Sequence, residues 1–180
     1  MHPSPNDIWF YGSGANLVQW DGATLRVHSP SAGLNIAAMK ANSPTEVYAA
    51  AGNATTRAVM HWDGATWRTI ALPTMEFVSS IDATSPSNIW LSLRGSSSLA
   101  PLRWNGTSWS PVAAPPAEHT GGELVLISPD EALVLSGPRV FRLRSGVWSR
   151  ERVGHTVPER LIYANRTLWL AGDDSLVFRR

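Results

Sequence analysis

Trp62-Asp63-Gly64-Ala65-Thr66-Trp67 is the stretch on which the fold turns. Aspartate caps a tight turn with its side chain and glycine accepts positive φ, so four residues between two tryptophans predict a hairpin with an indole on each strand. The signal recurs at Trp20-Asp21-Gly22 and Trp104-Asn105-Gly106, with a degenerate copy at Arg144-Ser145-Gly146. A second marker precedes each copy: Ser4-Pro5, Ser43-Pro44, Ser85-Pro86 and Ser128-Pro129. The unit returns every roughly 40 residues, a period found in solenoids and propellers.

Reading outward from the hairpin gives four short strands per unit. In the second copy, Leu34–Met39 is an apolar run broken by Ser43-Pro44, because proline lacks an amide donor and fixes φ. Glu46–Ala50, Ala58–Trp62 and Trp67–Ala71 complete strands A to D. The third copy repeats them at Phe77–Ile81, Asn88–Ser92, Leu102–Trp104 and Ser108–Ser110. The fourth does so at Leu124–Ile127, Ala132–Leu135, Val140–Leu143 and Val147–Ser149. No segment carries sustained helical periodicity. Evenly spaced strands with an aromatic motif in every unit predict an all-β fold, a β-propeller of four-stranded antiparallel blades.

One repeat domain over residues 1–180 is expected, with blades at 33–73, 76–113 and 122–153 and partial blades at 6–30 and 160–180. The first partial blade reads as strands B, C and D, and the last as A, B and C, about four and a half blades in all. Three readings of these ends stand open: a piece of a larger propeller, an imperfect five-bladed ring, or homo-oligomerisation through edge strands that completes the ring between chains.

The tryptophans fall into classes. Trp9, Trp90 and Trp169 occupy strand B, with Tyr48 and Leu133 in the equivalent slots. Trp20, Trp62 and Trp104 end strand C, and Trp67, Trp109 and Trp148 begin strand D. A residue that repeats with the blade is expected to serve the blade, through hairpin pairing and packing between sheets.

Composition narrows the function. A net charge of +1 gives no nucleic-acid footprint. The segment Arg139–Arg180 is locally basic, and reads as a solvated face. The chain has no cysteine, which excludes disulfide and thiolate chemistry. Its apolar runs are of strand length, so no membrane insertion is expected. No signal peptide is read at Met1–Pro5; a place outside the cell or in its envelope would follow from membership of a longer exported protein. The five histidines lack ligand spacing, Asp173-Asp174 lacks that of a calcium loop, and no phosphate-binding glycine motif is present; no metal and no cofactor are expected.

With these residues placed, the chain resembles bacterial repeat β-propellers of the broad kelch-like, galactose-oxidase-central-domain-like and sialidase-like group. The resemblance rests on Ser-Pro-x-x-Ile/Val-Trp/Tyr followed by Trp-Asp/Asn-Gly-x-x-Trp and covers nearly the whole chain. Asp63–Trp67 is similar to the sialidase Asp-box, but is one residue shorter between Asp and Gly and lacks the leading serine.

The resemblance implies ligands on the face formed by the B–C and D–A connections. Those connections carry Arg57, Arg94 and Arg139 from three successive blades, and Glu118 and His119 in the longest loop. The expected function is a non-enzymatic binding module that meets a protein or carbohydrate partner there. The alternatives are a sialidase-like glycoside hydrolase and a structural fragment without activity of its own. The hydrolase would clamp a substrate carboxylate with the arginine trio, using Tyr48 or Tyr163 as nucleophile and Glu118 as acid/base.

Overall fold

The computed structural model describes residues 7–31, 33–95, 100–116, 122–152, 158–164, 167–172 and 178–179. All regular structure among them is β. Blade 1 holds β1 (Ile8–Tyr11), β2 (Leu17–Trp20) and β3 (Leu25–His28). Blade 2 holds β4 (Asn35–Ser43), β5 (Glu46–Gly52), β6 (Arg57–Trp62) and β7 (Trp67–Ala71). Blade 3 holds β8 (Phe77–Ser85), β9 (Asn88–Arg94), β10 (Leu102–Trp104) and β11 (Trp109–Pro111). Blade 4 holds β12 (Leu124–Ser128), β13 (Glu131–Ser136), β14 (Arg139–Arg144) and β15 (Val147–Glu151). Blade 5 holds β16 (Pro158–Ala164), β17 (Thr167–Gly172) and β18 (Phe178–Arg179). Each blade is an antiparallel sheet whose strands lie side by side in chain order, four in blades 2 to 4 and three in blades 1 and 5. The chain divides into two compact units, Met1–Val78 and Ser79–Arg180.

The quoted hairpin forms as its residues dictate. Asp63 Oδ1 accepts the amides of Ala65 at 3.0 Å and Thr66 at 2.8 Å, and Gly64 takes a φ of +93°. Trp62 and Trp67 are cross-strand partners with ring centroids 5.4 Å apart. Trp104 and Trp109 repeat the pair at 5.4 Å around Asn105, whose Oδ1 accepts from Thr107 and Ser108. Trp20 pairs with Leu25 around Asp21-Gly22.

The degenerate copy departs from the sequence alignment. Leu143, not Arg144, is the partner of Trp148, and so takes the slot of Trp62 and Trp104. Ser145 and Gly146, both at positive φ, make a two-residue turn that lets Arg144 pair with Val147.

The two markers recur together because they meet at one end of the blade. The Trp62 indole donates to the Pro44 carbonyl at 3.2 Å, and a Cβ on Gly64 would stand 2.8 Å from Thr45 Cβ. Strand A runs further than expected, through Ser43 in blade 2 and Ser85 in blade 3, since it pairs with strand B right up to the proline turn.

Strand B carries the core. Val47, Tyr48, Ala49 and Ala50 are fully buried, as are Ala132, Leu133 and Val134. In blades 1, 3 and 4 the residue in its aromatic slot lies on the following sheet. Trp9 packs with Val47, Ala49 and Met60 of blade 2, and Trp90 with Leu124, Leu126 and Val134 of blade 4. Leu133 does the same against Leu161, Leu168 and Leu170 of blade 5.

Strand A faces no neighbouring backbone ladder, so side chains join consecutive A strands instead. In the second unit, Ser80 Oγ accepts from the Leu124 amide at 3.0 Å and Asp82 Oδ2 from the Leu126 amide at 2.7 Å. Glu123 Oε2 accepts from the Leu161 amide at 2.5 Å, one blade on.

Candidate functional site

The B–C connection of blade 2 builds a hollow in the first unit. Ala51 pairs with Ala58 and Gly52 with Arg57 where β5 hands over to β6. Asn53 shapes the turn between them. Its Oδ1 accepts the amides of Thr55 and Thr56, each at 2.9 Å, and its Nδ2 donates to the Gly33 carbonyl at 3.1 Å. On the neighbouring strand, the register of β4 against β5 shifts between Ile36 and Ala38, which leaves Ala37 as the unpaired residue of a bulge.

Arg57 is laid across this corner. Its Nη1 donates to the backbone carbonyls of Asn53 and Thr56, and its guanidinium carbon stands 4.7 Å from the ring centre of Phe77. Gly52 makes room for it, since a Cβ there would meet Arg57 Cδ at 2.5 Å. Around the guanidinium lies a hollow of about 300 Å³, lined chiefly by Ala37, Ala51, Gly52, Ala54, Arg57 and Phe77. Asn35 adds an amide at the rim, while Phe77 and nearby Met75 are 60% and 49% exposed. Among the described residues Arg57 makes no ion pair. The arrangement can hold an apolar group beside an anion; it offers no nucleophile with an adjacent base.

The other expected contact residues fall elsewhere. Arg94 is the exposed last residue of β9 and Arg139 the half-buried first residue of β14, both in the second unit. All three arginines sit at strand ends rather than within loops. Glu118 and His119 lie outside the described residues, as do Asp173 and Asp174. Tyr48 is unsuited to nucleophilic attack. It is fully buried, its hydroxyl donates to Glu46 at 2.7 Å, and the His61 ring stacks on it at 4.6 Å. Burial pushes its phenol far above the usual range, and the Glu46 hydrogen bond adds to that.

The repeat tryptophans are used by the fold. Trp62 and Trp67 pack against the blade 1–blade 2 core, and the Trp148 indole donates to the Ala113 carbonyl at 2.6 Å. Trp9, Trp62 and Trp67 surround His28, with ring centroids 4.7, 5.0 and 6.1 Å away. Burial, and after it the charge of Arg26, pulls the His28 pKa below its ordinary value.

A polar pair inside blades 1, 3 and 4 is not among the sequence-based expectations. Asp7 accepts from Gln19 at 2.7 Å, Asn88 from Arg103 at 2.9 Å, and Glu131 from Arg142 at 2.8 Å. Each partner on strand C stands opposite the strand-B slot: Gln19 by Trp9, Arg103 by Trp90, Arg142 by Leu133. The signal is the polar residue two places before that slot, at Asp7, Asn88 and Glu131; Glu46 holds the same place in blade 2 but accepts from Tyr48 and Asn42. These pairs tie strands B and C together and leave the site to the loop end.

Among the described residues no helix is long and apolar enough to cross a membrane. No protein-family model matches the sequence, and no curated protein does. Solved structures do match. YCF48 bound to D1 peptide is 17% identical with a TM-score of 0.64, over 97% of this chain and 61% of that one. YCF48 from Cyanidioschyzon merolae is 12% identical with a TM-score of 0.70, over 97% of this chain and 66% of that one. A catalytically inactive virginiamycin B lyase from Staphylococcus aureus, with quinupristin, is 12% identical with a TM-score of 0.68, over 98% of this chain and 67% of that one. The chain thus spans about three fifths to two thirds of the length of these proteins. At these identities the likeness speaks for architecture, and together with the five sheets it makes the fold a β-propeller of four-stranded antiparallel blades.

Proposed function

We propose that this chain is a non-enzymatic binding module that takes a peptide segment of a protein partner at the loop end of blade 2. The observation that carries the reading is Arg57, fixed by two backbone carbonyls and the Phe77 ring beside an apolar hollow of about 300 Å³. That volume lies at the small end for ligand pockets and suits one side chain of a longer ligand. One structural neighbour, YCF48, was solved with a peptide bound, which supports this use of the scaffold. Arg94, Arg139, Glu118 and His119 are proposed as further contact residues of the module, on their place in the repeat.

The test is binding of fluorescent dodecapeptides of mixed composition to the purified chain, run beside a glycan array. Saturable peptide binding without glycan signal is expected. Glycan binding alone would replace this reading with a lectin, and turnover of a fluorogenic sialoside would replace it with a hydrolase.

A further inference from the structure

Resting on the peptide-binding reading, we infer that the blade 2 site selects acidic segments: a side-chain carboxylate of the ligand takes the open edge of Arg57, and a neighbouring aliphatic side chain fills the hollow. Arg57 Nη1 is committed to the carbonyls of Asn53 and Thr56. The Nε and Nη2 edge has no hydrogen-bond partner among the described residues, and this is the edge whose parallel N–H groups match the two oxygens of a carboxylate.

The geometry favours such a ligand in three further ways. The Phe77 ring covers one face of the guanidinium at 4.7 Å, which withdraws it from water and strengthens its attraction for an anion. The backbone anchors hold the fork in place before the ligand arrives, so less side-chain entropy is lost on binding. The lining beside it includes Ala37, Ala51, Gly52 and Ala54, small residues that leave room for an aliphatic group and present no carboxylate of their own. Since Arg57 itself lines the hollow, the ligand's carboxylate and its aliphatic side chain must be close in sequence.

Gly52 is the specificity-determining position in this arrangement. Any side chain there displaces Arg57 from its seat, because even a Cβ would meet Arg57 Nη1 and Cδ at 2.5 Å.

The test uses the whole chain and dodecapeptides with amidated C-termini, so that Asp and Glu supply their only carboxylates. Three sets share the same leucine and valine content and carry Asp/Glu, Ser/Gln or Lys/Arg as the polar residues. Fluorescence anisotropy is read at low and at moderate salt. The acidic set is expected to bind about tenfold tighter than the neutral set, the size of a hydrogen-bonded charge pair at a half-buried site, with the gap narrowing as salt rises. Arg57→Ala and Gly52→Ala should both erase the preference. Arg57→Lys keeps the charge and the stem but not the fork, and should restore only part of it. Equal binding of acidic and neutral sets, or a preference that survives Arg57→Ala in a variant that melts like the parent, overturns this inference and leaves the peptide-binding reading in place. Absence of binding by all three sets overturns both.

Discussion

Replacing Asp82 with alanine should cost the second unit more than any surface carboxylate can. Asp82 is 4% exposed; its Oδ2 takes the Leu126 amide of the next blade at 2.7 Å and its Oδ1 takes the Ala83 amide at 2.8 Å. Leu126 and Ala83 are themselves buried, so water cannot replace the lost acceptor. A hydrogen bond to a charged group is worth about 1.5–3 kcal/mol, and an orphaned buried donor costs about as much. Losing both bonds should therefore destabilise by roughly 3–5 kcal/mol, which at about 2–4 °C per kcal/mol for a chain of this size is a fall in Tm of about 10 °C. The assay is urea and thermal unfolding followed by tryptophan fluorescence. Asp130→Ala is the control. Asp130 meets Arg103 at 2.8 Å, but its side chain is 77% exposed, and its loss should cost under about 1 kcal/mol. An Asp82→Ala protein as stable as the Asp130→Ala protein would refute the claim that side-chain acceptors on strand A join successive blades.

Three further outcomes follow from the same structure. Trp90→Ala should destabilise by about 3–5 kcal/mol, because the indole is buried against Leu124, Leu126 and Val134 of the next blade; urea midpoints check this against Trp169→Ala, whose side chain is 37% exposed and whose loss should cost far less. Gly64→Ala should cost about 1–2 kcal/mol, combining a residue held at φ +93° with a contact of 2.8 Å to Thr45 Cβ, and a calorimetric Tm tests it. His28 and His61 titrate below their ordinary value of 6.5, mainly through burial, so the unfolded chain takes up their protons first. Their contribution to stability is whole above about pH 6.5 and is lost as the pH falls through that value toward the lower folded pKa. Urea midpoints between pH 7.5 and 5.5 should decline, and His28→Gln should flatten the decline; a midpoint independent of pH in both proteins contradicts the burial of these rings.

The architecture was legible because each strand is announced by local chemistry. Aspartate or asparagine followed by glycine needs no tertiary context to turn, and the paired tryptophans then fix the register of strands C and D. The proline marker told where A meets B but not that strand A reaches it, since Lys40–Ser43 carries no apolar alternation and is held by pairing with β5. Arg144 was matched to the wrong slot because composition cannot show that a two-residue turn has replaced a longer one. Of the residues that build the proposed site, the sequence singled out Arg57 alone. Its proposed role depends on a bulge at Ala37, on the absence of a side chain at Gly52 and on Phe77 at the start of β8, which are relations between segments and not properties of any one of them. Tyr48, a plausible nucleophile by residue type, is disqualified by burial, a tertiary property.

The most direct test of the account is an amide chemical-shift map of the chain titrated with an acidic, leucine-containing dodecapeptide. The account predicts saturable shifts at Asn35–Ala37, Ala51–Arg57 and Phe77–Val78, lost in Arg57→Ala. Shifts confined to the opposite end of blade 2, at Thr45–Glu46 and Asp63–Thr66, would place binding on the turn markers and contradict it.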